Sequence, residues 1–299
     1  MARRRPRCQM ARRPRRLMER TRMPMIETRD GTRLYCKQWG EGRPVLLLHG
    51  WPLSADSWDD QALVLAEAGF RAIAYDRRGF GRSDQPWHGY DYDTLADDLA
   101  DVIAATKATD ATIVGFSMGG GEVARYMSRH GGQRGGHGVR QCGLVASVVP
   151  YLLKSPDNPG GVPAATFEEM AAQMKKDRPA FFATFFKAFY GVGTFSHPVS
   201  AEVVEWSRDT AMMAGLRPTL ACAQAFATTD FRPDLPAIDV PTLVIHGTAD
   251  ATVPIDVSGR AAAAGIAQAQ FIEYDGAPHG LTASHKDRLS QDLLAFVRQ

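Results

Sequence analysis

The fold of this chain is decided by residues 111–121, which read ATIVGFSMGGG. The first four residues of this stretch form an apolar run that predicts a buried strand, and the residues after Ser117 open a predicted helix. Ser117 therefore lies on a sharp turn between the strand and the helix. Its neighbours must be small, because a Cβ atom beside it would clash with one of these elements. Glycine occupies the positions concerned, which are 115, 119, 120 and 121. The pattern Gly-x-Ser-x-Gly in this setting predicts that Ser117 is a nucleophile, and the alternative is a glycine-rich turn with an idle serine.

Apolar runs and helical spacing alternate along much of the chain from residue 25 onward. Strands are predicted at 26–28 and 32–39, joined by an Asp-Gly turn, and at 45–48, 71–75, 111–114, 144–149, 242–245 and 271–274. Helices are predicted directly after Ser117 and at 57–69, 91–106, 255–264 and 283–298. This order predicts an α/β fold with a mostly parallel, eight-stranded sheet that carries helices on both faces.

The alternation stops between about residues 151 and 235. This segment has helical spacing, is aromatic and proline-punctuated, and carries no strand pattern. We therefore expect a helical cap at 151–235, inserted into a core domain made of residues 25–150 and 236–299. The glycine-rich stretch 131–138 follows a helix, whereas a phosphate-binding loop would follow a strand, so we expect a flexible surface loop there.

The formal net charge of +2 hides an uneven distribution. Residues 1–22 hold ten arginines and one acidic residue, which leaves 25 basic against 32 acidic residues in the rest of the chain. A mildly acidic body argues against nucleic-acid binding by the folded part. We expect residues 1–24 to be a disordered basic tail. Three interpretations of this tail stay open. It is an arm that contacts phosphates, a targeting peptide, or a stretch that is not translated because initiation occurs at Met18, Met23 or Met25.

The cysteines show no paired short spacing, so the sequence holds no zinc-binding pattern. Cys8 lies in the tail, and Cys36, Cys142 and Cys222 lie in apolar surroundings. The last three are predicted to be reduced core thiols, which favours a cytoplasmic location. No apolar run reaches the roughly 18 residues that a membrane span needs, so we expect no membrane partner.

Two further residues are the predicted partners of Ser117. A serine hydroxyl is a poor nucleophile until a base takes its proton. Asp250 and His279 each follow the carboxyl end of a predicted parallel strand, where such sheets place their sites. We predict that His279 is the general base, rather than a solvated loop histidine, and that Asp250 orients its imidazole. Asp239 precedes its strand and Asp256 falls in the next helix, so both are weaker candidates than Asp250.

Acyl transfer through a serine also needs donors for the negative charge that develops on the substrate oxygen. The backbone N–H of Met118, directly after the nucleophile, is one predicted donor. The other is the backbone N–H of Trp51, in the loop 49–52 that follows the strand 45–48. Pro52 has no N–H and cannot donate. The Trp51 ring is predicted either to wall a substrate pocket or to have a packing role only.

Two other groups of polar residues are considered for roles outside the catalytic step, namely metal binding and structural support. His49 and His246 each precede a glycine at a strand end, which makes a dinuclear metal pair conceivable. No carboxylate cluster with ligand spacing accompanies them, so we predict no metal and no cofactor. In the charged stretch 76–84, we expect Arg77 and Arg78 to pair with carboxylates and to brace the loops around Ser117.

Several longer motifs resemble the cofactor-free haloperoxidases, which are α/β-hydrolases also described as perhydrolases and aryl esterases. The motifs are HGWPLS at 49–54, DRRGFGRSD at 76–84, GGGEVARY at 119–126, KSPDNP at 154–159, TDF at 229–231, HGTAD at 246–250 and GAPHG at 276–280. The resemblance covers about residues 25–299. It is specific, because the extended motifs go well beyond the generic signature of the fold.

The resemblance implies an α/β-hydrolase fold, a triad of Ser117, Asp250 and His279, and an oxyanion hole formed by the Trp51 and Met118 amides. It also implies no haem or metal, and often a homo-oligomer. Members of the family hydrolyse small aryl and alkyl esters, and with a carboxylic acid and hydrogen peroxide they form peracids that oxidise halide. The chain departs from the family in its longer glycine-rich stretch and in Met118, where threonine is common. Local packing and pocket shape are therefore expected to differ.

An aromatic group recurs at helical spacing in the expected cap. It consists of Phe181, Phe182, Phe185, Phe186, Phe189 and Tyr190. Most of these rings are expected to pack onto the core, while some line a small apolar acyl pocket. The predicted pocket residues are Trp51, Phe181, Phe185 and Trp206. Such a pocket predicts a preference for short or aromatic acyl groups over charged ones.

The sequence thus predicts a serine hydrolase of small carboxylic esters that works through an acyl-enzyme, with perhydrolase and cofactor-free chloroperoxidase side activity. Its partners are expected to be a small ester, or a carboxylic acid plus peroxide. A dehalogenase or an epoxide hydrolase would carry aspartate in place of Ser117. A lactonase or a C–C bond hydrolase keeps the serine, so both stay alternatives. A non-catalytic small-molecule binding protein is the third possibility, and the loss of a triad residue would mark it.

Overall fold

The structure, a computed structural model, describes residues 25–131 and 138–299. The expected basic tail at 1–24 lies outside the described residues, and so do residues 132–137 of the glycine-rich stretch. The interpretations of both segments therefore stay predictions.

Within the described ranges of the chain, one sheet of eight strands forms the centre of the molecule. The strands are Met25–Glu27 (β1), Arg33–Trp39 (β2), Pro44–Leu48 (β3), Arg71–Tyr75 (β4), Ala111–Phe116 (β5), Val139–Val145 (β6), Thr242–Gly247 (β7) and Ala269–Tyr274 (β8). They lie in the order β1-β2-β4-β3-β5-β6-β7-β8. β2 pairs antiparallel with β1 and with β4, and every other pair is parallel. The predicted mostly parallel, eight-stranded sheet is confirmed.

The central strands are apolar because both faces of the sheet are covered. Every residue of β3, β5 and β7 is buried, which is the pattern that parallel strands show under helices on both sides. The helices are Asp59–Glu67 (α1), Tyr92–Thr106 (α2), Met118–Tyr126 (α3), Ala164–Phe189 (α4), Ala201–Met213 (α5), Leu216–Thr228 (α6), Gly259–Gly265 (α7), Leu281–Ser284 (α8) and Lys286–Val297 (α9). α2 packs against α3, and α1 packs against α9.

Local signals set several helix ends where the sequence predicted them. The Asp91 side chain accepts a hydrogen bond from the Thr94 N–H at 2.9 Å and so caps the start of α2. Gly69, just beyond α1, has a φ of +87°, which favours glycine at that position. In the part of the chain that the structure describes, no helix has both the length and the apolarity that crossing a bilayer requires.

The strand predicted at 144–149 is misplaced, because β6 begins at Val139 and ends at Val145. Gln141 made the first half look too polar for a buried strand. In the structure its side chain accepts from the Thr112 hydroxyl at 2.9 Å and donates to the Phe296 carbonyl at 3.0 Å. A buried amide with both partners satisfied is tolerated within a sheet. Residues 146–149 are also buried, but they lie beyond the end of the strand.

Three helices, α4, α5 and α6, occupy much of the segment between β6 and β7. α4 contacts both of the others. It is made of two helices that meet at Asp177, whose backbone is non-helical and whose side chain accepts from the Ala180 N–H at 3.0 Å. Proline at 179 suits this start of a new helix, since proline is tolerated in a first turn. The segment is helical as expected, and its role as a cap over the site stays a prediction.

Candidate active site

The carboxyl ends of β5, β7 and β8 meet at one edge of the sheet, because these strands run in the same direction with β6 between β5 and β7. Ser117 follows β5 directly, Asp250 lies in the loop after β7, and His279 lies in the loop after β8. Three segments that are far apart in the chain thus place polar side chains next to one another. All three side chains are buried.

The backbone turn at Ser117 is strained. Its φ of 54° and ψ of −117° lie outside the regions that non-glycine residues ordinarily adopt. A Cβ atom on Gly115 would overlap the carbonyl of Gly119, and a Cβ atom on Gly119 would overlap the carbonyl of Leu48. The two glycines therefore allow α3 to start immediately after β5, with the serine on the turn between them.

The three side chains form one hydrogen-bonded chain. His279 Nε2 lies 2.9 Å from Ser117 Oγ, and His279 Nδ1 lies 2.6 Å from Asp250 Oδ2. An ionised carboxylate only accepts, so Nδ1 carries a proton and donates it to Asp250, and Nε2 is left to accept from the serine hydroxyl. This arrangement can move the Ser117 proton onto His279 while the Asp250 charge stabilises the imidazolium.

The Asp250 carboxylate is held on both of its oxygens. Oδ1 accepts from the backbone N–H groups of Thr252 at 2.9 Å and Val253 at 2.8 Å. Burial by itself would raise the pKa of this carboxyl. The attraction to His279 when its ring is protonated, together with the hydrogen bonds from His246 and His279, outweighs burial, so the pKa of Asp250 lies below its ordinary value. Asp250 is therefore ionised at neutral pH, as its interaction with His279 requires.

The two residues predicted to supply the oxyanion donors lie next to Ser117 in the chain or line the same cavity. Met118 is the first residue of α3, so the helix leaves its backbone N–H without a partner in the preceding turn. Gly50 packs so closely onto the backbone turn at Ser117 that a Cβ atom on Gly50 would lie 3.1 Å from the Ser117 Cβ. The next residue, Trp51, is therefore carried to the same end of β5. Their function as an oxyanion hole stays our prediction.

A buried ion pair ties the loop of Trp51 to helix α3. Arg77 pairs with Glu122 of α3, and its guanidinium also donates to the His49 carbonyl at 2.6 Å. Tyr75 donates to the second Glu122 oxygen at 2.8 Å. Burial and the nearby Arg77 charge lower the pKa of His49 well below its ordinary value, so its ring is neutral. One charged pair thus fixes the two backbone segments that carry the predicted oxyanion donors.

A cavity of about 230 Å³ opens onto Ser117 and His279. Apart from these two side chains its lining is mainly apolar. It consists of Trp51, Val148, Leu152, Val162, Thr166, Phe167, Met170, Phe185, Ala188, Phe226, Ala251, Thr252, Val253 and Pro254. Among the described residues, the lining contains no lysine, arginine, aspartate or glutamate, so the cavity suits an uncharged, mainly apolar group.

Two of the four predicted pocket residues, Trp51 and Phe185, line this cavity, and the other two do not. Phe181 stacks on Phe185 with 5.6 Å between the ring centroids and lines a separate depression on the surface. Trp206 is 42% exposed and lies in another depression together with Trp39. Helical spacing shows that rings share a face of a helix. It does not show where that face leaves the cavity, so it could not distinguish Phe181 from Phe185.

Several lining residues were missed by the sequence reasoning. Phe167 and Met170 come from the first half of α4, and Phe226 comes from α6. Phe226 packs edge-on against Trp51, with 5.5 Å between ring centroids. The Trp51 ring therefore both walls the cavity and packs against the inserted helices. The apolar residues of α4 were visible in the sequence, but nothing local indicated which of them face Ser117.

The histidines considered as a metal pair have other partners. His49 Nε2 accepts from the Arg77 backbone N–H at 3.0 Å, and His246 Nε2 lies 2.9 Å from the Val253 carbonyl oxygen. Among residues 25–131 and 138–299, no group of three or more histidine, cysteine, aspartate or glutamate residues is arranged to hold a metal ion. Both Nε2 atoms are thus committed to protein groups.

Comparisons with known proteins extend over most of the chain. A family model described as the alpha/beta hydrolase fold matches residues 43–285. Non-heme chloroperoxidase CPO-A1 of Kitasatospora aureofaciens is 40% identical over 279 residues, which cover 93% of this chain and 100% of the relative. The bifunctional esterase/perhydrolase DCH of Acinetobacter calcoaceticus is 39% identical and covers 92% and 100%, respectively. The crystal structure of a bromoperoxidase from Bacillus anthracis matches with a TM-score of 0.88 and 42% identity, covering 92% of this chain and 99% of that one.

Proposed function

The chain belongs to the alpha/beta hydrolase family, and on that basis we propose that it is a serine hydrolase of small aryl and alkyl carboxylic esters with perhydrolase side activity. Relatives that align over nearly their whole length include a chloroperoxidase and an esterase/perhydrolase. In this proposal hydrogen peroxide replaces water in the second half of the reaction. The peracid that forms then oxidises halide, which accounts for a cofactor-free haloperoxidase activity.

One observation carries the proposal, namely the hydrogen-bonded chain from Ser117 through His279 to Asp250. In the first step Ser117 Oγ attacks the acyl carbon while His279 Nε2 takes the hydroxyl proton. The substrate carbonyl oxygen becomes an oxyanion that accepts from the backbone N–H groups of Trp51 and Met118. The intermediate collapses when His279 returns the proton to the departing alcohol or phenol, and an acyl ester of Ser117 remains.

A second nucleophile releases the acyl group from the enzyme. His279 takes a proton from water, the water oxygen attacks the acyl carbon, and Ser117 regains its proton as the carboxylic acid leaves. Hydrogen peroxide in the place of water follows the same proton transfers and yields a peracid. A carboxylic acid can also acylate Ser117 with loss of water, so acid and peroxide together form a peracid. The peracid passes one oxygen atom to halide, giving hypohalite and the original acid.

The cavity beside Ser117 supports the choice of substrate class. Its walls are largely aromatic and aliphatic, and its polar side chains besides Ser117 and His279 are Thr166 and Thr252. An anionic acyl group would lose its hydration there without meeting a cation. We therefore expect acetate, butyrate and benzoate esters to be accepted and succinate half-esters to be rejected.

The proposal is tested with a panel of p-nitrophenyl esters, assayed for hydrolysis and, with acetate and hydrogen peroxide, for bromide oxidation. Each assay compares the wild-type protein with Ser117→Ala. We expect ester turnover and peroxide-dependent bromination by the wild type, and a loss of both by about 10⁴-fold or more in Ser117→Ala. A lactone in the same panel tests the alternative of a lactonase.

Each outcome of this panel has a distinct meaning. Substantial turnover by Ser117→Ala would disprove the assignment of the nucleophile. Hydrolysis without peroxide-dependent bromination would leave the esterase and remove the perhydrolase activity. A strong preference for the succinate half-ester would disprove the inference from the apolar cavity.

Location and assembly are the remaining parts of the proposal. Cys36, Cys142 and Cys222 are buried free thiols, which supports the cytoplasm as the compartment. A homo-oligomer remains an expectation that rests on the family resemblance alone. Gel filtration with light scattering measures the oligomeric state directly.

A further inference from the structure

The proposed reaction leaves one buried histidine of the site without a role. His246 belongs to β7, is fully buried, and precedes Asp250 by four positions. Its Nε2 lies 2.9 Å from the carbonyl oxygen of Val253 and 3.1 Å from Asp250 Oδ2. His279 Nδ1 lies 2.6 Å from the same carboxylate oxygen. Asp250 Oδ2 therefore lies between two imidazole rings.

The Val253 carbonyl decides which nitrogen of His246 carries the hydrogen. Carbonyl and ionised carboxylate oxygens only accept, so Nε2 must be protonated to bond with either of its neighbours. The Nε2–H forms a hydrogen bond with the Val253 carbonyl at 2.9 Å, and the same nitrogen lies 3.1 Å from Asp250 Oδ2, where its N–H attracts the carboxylate charge. The other ring nitrogen, Nδ1, is buried and has no hydrogen-bond partner within the described part of the chain. A neutral ring protonated on Nε2 fits these surroundings, since a second proton on Nδ1 would meet no acceptor.

Close packing keeps the His246 ring in this position. A Cβ atom on Gly259, the first residue of α7, would lie 2.8 Å from His246 Nδ1, so the ring has little room to turn away. The other charged groups near it are Glu273, opposite His246 on β8, and Arg260 of α7. These two pair with each other at 2.7 Å on the outer side. Asp250, and His279 beyond it, are therefore the titratable groups that His246 Nε2 faces.

We propose that His246 is a positioning residue of the active site, which holds the Asp250 carboxylate in the orientation that His279 requires. The Val253 carbonyl anchors its Nε2–H, which lies 3.1 Å from Asp250 Oδ2, while two backbone amides hold Oδ1. With both oxygens fixed, Asp250 presents Oδ2 to His279 Nδ1, and His279 Nε2 is directed at Ser117. This role rests on the proposed serine-hydrolase function and adds one residue to its machinery.

Removal of the His246 donor changes both the geometry and the electrostatics of the site. A less restrained Asp250 lets His279 shift, and a misplacement of about 1 Å can cost roughly a hundredfold in rate. The carboxylate charge that His246 no longer compensates also stabilises the His279 imidazolium more strongly. The pH at half-maximal kcat/KM therefore rises while kcat falls. A residue that served only to stabilise the fold would leave that pH unchanged.

The experiment compares His246→Leu, which removes the donor, with His246→Gln, which retains an amide N–H. Hydrolysis of p-nitrophenyl butyrate is followed from acidic to alkaline pH at the isosbestic wavelength of the product. We expect His246→Leu to lower kcat by about tenfold to a hundredfold, with KM little changed. We expect the pH at half-maximal kcat/KM to rise by roughly half to one unit, and His246→Gln to recover part of both effects.

His285→Gln serves as the matched control. This histidine contacts Ser284 and Tyr274 and stands outside the hydrogen-bonded chain of the triad. The control variant should therefore keep the wild-type pH profile. A folded His246→Leu with an unchanged pH midpoint would overturn the proposal.

A spectroscopic measurement keeps the proposal testable if His246→Leu does not fold. In ¹⁵N spectra of wild-type protein labelled on histidine, we expect His246 to show a protonated Nε2 and a bare Nδ1 at neutral pH. A bare Nε2 would overturn the proposal. Failure of the proposed serine-hydrolase function gives a different result, because Ser117→Ala would then retain substantial activity. If Ser117→Ala is inactive while the His246 variants behave like wild type, only the positioning role fails.

Discussion

Two regions of the molecule line the cavity, and they differ in kind. The sheet edge consists of the turn at Ser117, the loop 49–52 and the loops after β7 and β8, and its polar groups bond to one another. The inserted helices α4 and α6 contribute apolar side chains such as Phe185 and Phe226. The comparison indicates that the proposed chemistry belongs to the sheet edge alone, whereas both regions contribute apolar walls to the cavity.

The two regions are also held by different forces. At the sheet edge the buried pair of Arg77 and Glu122 is directional, and removing either partner leaves an uncompensated charge. Among the helices, rings such as Phe185 pack by contact area, which tolerates changes of similar volume. Trp51 joins the regions, because its backbone belongs to the sheet edge while its indole N–H donates to the Thr219 carbonyl of α6 at 3.0 Å.

The largest effect should come from a change at the sheet edge that leaves the helices untouched. Asp250→Asn keeps the side-chain shape, but its amide can donate to His279 and select the wrong tautomer of the imidazole. We expect kcat to fall by about 10³- to 10⁴-fold. KM should change little, because the walls of the cavity stay intact. Steady-state kinetics with p-nitrophenyl butyrate measures both constants, and circular dichroism checks the fold. A loss smaller than about tenfold would contradict the proposed role of the sheet edge.

A change in the bracing pair should lower stability more than a change in any surface pair. Glu122→Gln removes the negative charge opposite buried Arg77 while keeping the side-chain shape. We expect a loss of about 3 kcal/mol in the free energy of unfolding, measured with urea. Lys286→Ala is the control, since Lys286 and Asp60 form an exposed pair at 3.3 Å, and it should cost less than about 1 kcal/mol. Equal losses in the two variants would show that the sheet edge does not depend on buried charge.

The smallest effect should come from the helices and should alter selectivity instead of rate. Phe185 lines both the cavity and the adjoining surface depression, whereas Phe181 lines only the depression. Phe185→Ala joins the two spaces and gives a longer acyl chain room. Each buried methylene contributes about 0.8 kcal/mol, so burial of about two of the four extra methylenes of octanoate should raise its kcat/KM relative to butyrate about tenfold. Phe181→Ala should leave this ratio within about twofold. A similar change in both variants would refute the separation of the two spaces.

Much of the candidate site was predictable where the requirements are local. Ser117 needed only an apolar strand, a helix start and glycines beside it, all within eleven consecutive residues. Asp250 and His279 were found because each follows a strand, and parallel strands end at the same edge. The structure brings these three side chains into hydrogen-bond contact, and their catalytic roles remain our proposal.

Predictions failed where a residue depends on distant partners. Gln141 concealed the start of β6 because its amide is satisfied by Thr112 and Phe296, which lie far away in the chain. Phe181 was placed in the pocket together with Phe185 because the sequence shows the spacing of aromatic rings, but not the rotation of a helix about its axis. The backbone break at Asp177 changes that rotation midway along α4.

The sequence by itself determined the order of strands and helices, the nucleophile turn, and the two loops that supply its partners. Those features follow from hydrophobic periodicity and from the positions of glycines, and both are patterns within short stretches of consecutive residues. Only the tertiary structure decided that His246 contacts Asp250, that Arg77 joins α3 to the Trp51 loop, and that Phe185 lines the cavity. These contacts depend on distances between remote segments. Such distances are set by the packing of the whole sheet and its helices, and no local pattern of residues specifies them.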